Sequence, residues 1–373
     1  MFFRIWLTLL LSAGLLLAGI RCTAAAQTPQ DTLIQAAESL EIPEEVQPEF
    51  DSIGISPAEP QTLLALSPED FLHRLLETAA REASAPLRLC GTLLTLTVLS
   101  SLLGSLGDAA SGSDLRRCFD TLCTLICIGA AAQPLCDALI RTADALDTGQ
   151  VFMSGYVPVF GAFIAAGGQV AGSATYQVFV LFLTEGIMQL MHGILFPVLQ
   201  MSAALGFADA VNPALRLGGF VAGMRKAVIW ILGFVMTMFS ALLSVRSIVA
   251  SAADSLASKS VKLLASGLIP IVGSAVSDAY GTVQGSIRLL RNGIGACGIL
   301  VIVWLCVPPL ISLTFYRIAF RISGIFAETA GTGPLPQLFQ NLQTVLSAAF
   351  AMLVCFSLMM TVSTAVLLLL LGN

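Results

Sequence analysis

Glu185 and His192 are the residues of this 373-residue chain best suited to chemistry, because both stand in the apolar stretch 174–198. Seven positions apart, they share one face of a helix. An ionisable side chain inside a membrane span is expensive and marks a functional site by default. A glutamate and a histidine so arranged supply the parts of a proton relay for coupled transport. The competing reading is a hydrogen-bonded pair turned into a helix bundle. No second acidic residue is evident in the neighbouring spans, which weighs against the relay. Asp254 and Asp278, with Arg288 and Arg291, read as ion pairs inside the same bundle.

Small residues form the second pattern. Gly273, Ser277, Gly281 and Gly285 recur at four-residue spacing, and the pairs Gly168/Gly172 and Gly219/Gly223 repeat it. In lipid such a face lets helix backbones approach closely, because packing drives association there. The ladder serves either packing within one chain or a seam facing a partner or a second copy. Enzyme signatures are missing: there is no HExxH helix, no GxxxxGK[ST] phosphate loop and no Gly-x-Ser-x-Gly elbow. His73 and His192 are the two histidines, so histidine-centred catalysis has little material. Cys118, Cys123 and Cys127 lack the close paired spacing of a zinc site. No catalytic, cofactor-binding or metal-binding residue is assigned.

The elements that position these residues follow from composition. Hydrophobic residues make up 56% and charged residues 11%, with a mean hydropathy of +0.88. A soluble chain carries roughly a quarter charged residues, so most of this one finds its solvent in lipid. The net charge of -5 is unevenly spread. Residues 27–87 hold 12 acidic and 2 basic side chains, whereas 88–373 hold 11 and 14. Nothing resembles a basic stripe for nucleic acid.

Arg4, an apolar core over 6–19 and Ala24-Ala25-Ala26 before Gln27 lay out a cleavable signal peptide at 1–26, with Ala24, Ala26 and Gln27 at the cleavage site. Residues 27–87 then form an acidic extracytoplasmic arm. Its proline-rich first half has no sustained core, and a surface helix near 68–85 starts at Ser67-Pro68 and stops at Pro86. Cysteines are absent from this arm, so the eight that follow cleavage read as buried hydrophobes.

Residues 88–373 form the polytopic domain. About 20 apolar residues cross the hydrocarbon, which predicts spans at 89–107 and 118–139, joined by a cytoplasmic loop carrying Arg116 and Arg117. Asp137, Arg141, Asp144 and Asp147 then read as an outer loop. The next 37 residues, 148–184, carry no charge and are interrupted by Pro158 and Gly167-Gly168. They form either a span, a glycine turn and the next span, or a broken, re-entrant helix at 151–166. Further spans fall at 227–245, 292–316 and 345–371. Both 201–226 and 246–291 are basic yet flank one span, so 246–291 reads as partly embedded. The fold class is an all-α polytopic membrane protein with six or seven transmembrane helices plus re-entrant or amphipathic segments.

Several ordered motifs resemble one family. Gly155-Tyr156-Val157-Pro158, Gly167-Gly168 and Ser173-Ala174 come first. Arg246 to Asp254, Lys259 to Lys262, Leu268-Ile269-Pro270-Ile271-Val272-Gly273, Asp278-Ala279, Gly285 and Asn292-Gly293 follow in order. This pattern is similar to that of the stage III sporulation protein AE family. The resemblance implies a mother-cell membrane protein facing the forespore, one subunit of a channel or secretion-like complex that supports late forespore development. It also implies membrane-protein partners, among them a separate ATPase, and carries over no catalytic residue. A stand-alone transporter or permease, with a substrate site formed by a broken helix at 151–172 and by Glu185 and His192, is the alternative; its usual internal repeat is not evident.

Overall fold

The computed structural model describes residues 40, 42–48, 68–109, 113–166, 170–212, 217–242 and 273–370. The side chains of 273–292 and of a few helix ends lie outside that description. The elements are α1 (Pro68–Ala109), α2 (Ser113–Ala166), α3 (Val170–Leu190), a π-helical segment (Met191–Leu195), α4 (Phe196–Val211), α5 (Gly218–Leu242), α6 (Gly273–Thr329) and α7 (Leu335–Leu370). Among the described residues six helical stretches are long and apolar enough to cross a membrane, with α3, the π segment and α4 counting as one. An all-α polytopic membrane protein is what the chain folds into.

The helices run longer than the spans predicted for them. Pro86 does not end a surface helix but lies inside α1. Proline removes the donor to the carbonyl four residues back, and neighbouring helices make that loss tolerable in lipid. The stretch with Asp137, Arg141, Asp144 and Asp147 is not an outer loop: it is the middle of α2, a single helix of 54 residues. At 1.5 Å per residue such a helix reaches about 80 Å, far beyond a bilayer's hydrocarbon. Its last part, 151–166, is unbroken and continuous with the rest of α2. Beyond it the Ser173 hydroxyl of α3 donates to the Gly161 carbonyl. The predicted Gly/Pro loop after Arg321 shrinks to five residues, 330–334, because α6 continues to Thr329.

That turn shows how the sequence stops a helix. Gly331 takes φ 67°, the left-handed region, its amide bonds the Glu328 carbonyl, and the Thr332 amide reaches the Ala327 carbonyl. Two carbonyls left over at the end of α6 are thereby satisfied, and Pro334 follows shortly after. α7, uncharged throughout, forms the centre of the bundle. Leu338, Phe339, Leu342, Leu346, Ala349, Met352, Leu353 and Phe356 are all fully buried. Around it, Leu99, Leu102, Leu125, Ile126, Trp230, Phe234, Ile318 and Ile325 point outward, the inverse of a water-soluble surface.

Three connections gather at one end. Ser101 donates to the Ala330 carbonyl, a Cβ on Gly333 would meet Asp120, and Asn341 bonds Asp209 at the close of α4. The end of α2 and the start of α3 lie at the other end. Part of the acidic arm is ordered against the bundle: Leu40 and Val46 are buried in the same apolar core as α2 and α7. Residues 1–26, read from the sequence as a signal peptide, with Ala24, Ala26 and Gln27 at its cleavage site, and Asp254 lie outside the described residues.

Candidate functional site

Polar side chains collect at one level, where α1, α2, α3 and the π segment meet. Asp137, Arg141, Asp144, Asp147 and Gln150 are spaced by three or four along α2, so they form one stripe. Glu185, Gln189 and His192 form a second stripe on the antiparallel neighbour. Gln150 Nε2 donates to Glu185 Oε2 at 2.7 Å, and Gln189 Nε2 donates to the other carboxylate oxygen at 3.3 Å. His192 Nε2 lies 2.9 Å from Asp147 Oδ1, at an angle that makes it an ion contact when the ring is protonated. The imidazole stacks on Phe196, centroids 5.4 Å apart. Toward α1, Arg141 Nη1 pairs with Glu82 Oε2 at 3.3 Å, and the Thr148 hydroxyl donates to Glu45 of the arm at 3.5 Å.

Glu185 and His192 therefore do not pair with each other. Seven residues of helix separate them by about 10 Å along the axis, and each has its own partner on α2. The acidic neighbour missing from the sequence reading is Asp147, hidden because its stretch was expected in a loop. Glu185 is exposed and both its oxygens are engaged by carboxamides, which is the environment of a clamp between two helices more than of a proton donor.

Backbone geometry at His192 has an identifiable cause. Pro197 has no amide to give the Gly193 carbonyl, so the ladder slips and the Phe196 amide reaches the Met191 carbonyl instead. Such single-turn π segments are rare and recur at functional positions. Here the slip sets the direction of His192.

Gly273, Ser277, Gly281 and Gly285 all lie on α6, where helical geometry puts them on one face. Their surroundings, and those of Asp278, are outside the described side chains. Gly172 begins α3, and Gly168 is not described. Other glycines carry the close approaches that are described. A Cβ on Gly298 would enter the Tyr156 ring, and one on Gly149 would lie 2.6 Å from Phe356. Gly219 and Gly223 meet nothing within 4 Å. No group of three metal-ligating side chains occurs among the described residues, and the eight described cysteines are free.

The sequence reading missed Asp209. It is 4% exposed, accepts the Leu217 amide at 2.6 Å and the Asn341 side-chain amide at 3.3 Å, and so ties the α4–α5 connection to α7. A lone carboxylate between Phe207 and Pro213 in an uncharged run was the available signal.

Six crossing helices, a polar seam between two of them and an apolar exterior define a multi-pass membrane protein whose polar groups join helices. The family model for stage III sporulation protein AE matches residues 61–370. The stage III sporulation protein AE of Bacillus subtilis (strain 168) is 23% identical over 303 residues, covering 81% of this chain and 76% of the relative. No solved structure matches. The chain belongs to the stage III sporulation protein AE family and is a sporulation membrane protein.

Proposed function

We propose that this protein is a structural, non-catalytic membrane subunit of a channel or secretion-like complex between mother cell and forespore, required for late forespore development. Family membership over residues 61–370 carries the reading. The polar belt supports it, since its groups are used to join helices and to seat the arm. The transporter alternative, a substrate site made by a broken helix at 151–172 with Glu185 and His192, is weakened because 151–166 is continuous with the rest of α2 and Glu185 and His192 have separate partners.

The end that gathers the three connections is taken as cytoplasmic. Arg116 and Arg117 flank it, and short cytoplasmic loops are rich in Lys and Arg. The acidic arm, the polar belt and the facing ends of α2 and α3 then lie on the outer side, in the mother-cell membrane around the forespore, after removal of the signal peptide. The Gly273/Ser277/Gly281/Gly285 face serves as the seam for partners or a second copy. Affinity purification of the tagged full chain from sporulating cells tests this. The other membrane proteins of the complex and a separate ATPase come down with it, and Gly281→Leu loses them while still inserting. A chain that purifies alone, or a variant that keeps its partners, contradicts the subunit or the seam respectively.

A further inference from the structure

We infer that a cavity between α5 and α7 is a binding site for a phosphate-type anion, a site distinct from the polar belt and from the assembly seam. The cavity holds about 270 Å³ and is lined by Arg225, Gln337, Gln340, Asn341, Gln343 and Thr344, with Gly218 and Ala222 leaving it room. Four carboxamides and a guanidinium make its wall a set of hydrogen-bond donors, and no carboxylate lines it. Among the described residues Arg225 Nε is fully buried without a hydrogen-bond partner. A second guanidinium stands behind it: Arg317 also has a buried, unpartnered Nε, lies over the Phe350 ring at 4.8 Å, and is near enough to Arg225 for the two charges to oppose each other.

Two like charges among apolar helices are costly unless an opposite charge joins them. The nearest buried carboxylate, Asp209, is already committed to the Leu217 amide and to Asn341. Even with Asp209 counted, the cluster keeps one excess positive charge. The planar guanidinium fork fits an oxyanion, and a phosphate uses it in bidentate fashion. The first turns of α7 add the positive end of that helix's dipole. Gln337 lies only three residues past Pro334, so the site sits near the end of the bundle that gathers the connections, at headgroup depth. Basic pockets between transmembrane helices at such a depth take anionic lipid headgroups, and a free phosphate has the same chemistry.

The test uses the purified full chain in three settings: nanodiscs of phosphatidylcholine, nanodiscs containing phosphatidylglycerol, and phosphatidylcholine nanodiscs with inorganic phosphate. Thermal unfolding and native mass spectrometry read binding. Stabilisation and retained lipid with phosphatidylglycerol identify a lipid headgroup, and stabilisation by inorganic phosphate alone identifies a free anion. Arg225→Gln weakens either response by about tenfold or more, the loss of a charged hydrogen bond, whereas Arg225→Lys keeps part of it. Gln340→Leu removes a donor without touching the charge and covers the case in which Arg225→Gln does not fold. No response to either anion in the wild type overturns the site. So does an equal response in wild type, Arg225→Gln and Gln340→Leu.

Discussion

Asp209 and Glu185 are both carboxylates among apolar residues, yet their surroundings give them different weight. Asp209 is buried and satisfies a backbone amide and a side-chain amide. Asp209→Ala leaves those donors unpaired, and thermal unfolding in detergent shows a loss of about 1–3 kcal/mol. A stability within error of wild type would contradict the pairing. Glu185 is exposed and held by Gln150 and Gln189. Glu185→Gln therefore loosens the α2–α3 contact slightly and leaves spore yield normal. A block in sporulation at normal protein level would return the proton relay to the protein. Glu185 and His192 were legible in the sequence as polar residues in a span, but their partners were not. Asp147 and Asp209 meet their partners across 45 and 132 positions of chain, and no local pattern reports such a pairing.

At the scale of elements, uncharged runs revealed where spans exist but not where helices end. A charge count sees Asp137, Arg141, Asp144 and Asp147 as a loop, although their spacing places all of them on one side of a continuous α2. Pro86 and Pro158 read as a stop and an interruption, yet both lie inside helices, as Pro134, Pro308 and Pro309 do, because neighbouring helices hold them. The π segment was not legible at all, since it depends on how Pro197 and Gly193 share one missing hydrogen bond. Gly331 is where local sequence does dictate structure. Its φ of 67° has no steric neighbour within 4 Å, so Gly331→Val is penalised by backbone conformation alone, about 1–2 kcal/mol. Gly219→Ala, in an open helical position, gains up to about 1 kcal/mol instead. Equal melting temperatures for the two variants would refute the turn geometry.

For the whole molecule, 11% charge is enough because it is sorted by position. Basic residues flank the end with three connections, polar stripes join α1, α2 and α3 away from that end, and the central helix α7 has no charge. Of the two basic blocks that conflict in sequence, most of 201–226 falls on α4 and the start of α5, whereas 246–272, read as partly embedded, lies outside the described residues. The proposed orientation puts the connections inside and the belt and arm outside. Protease digestion of intact protoplasts from non-sporulating cells, whose cytoplasmic membrane carries full chains with an epitope inserted after Ser111 or after Gly168, measures it most directly. The epitope after Gly168 is cut and the one after Ser111 is protected until the membrane is opened. Cleavage at Ser111 with protection at Gly168 would contradict the account.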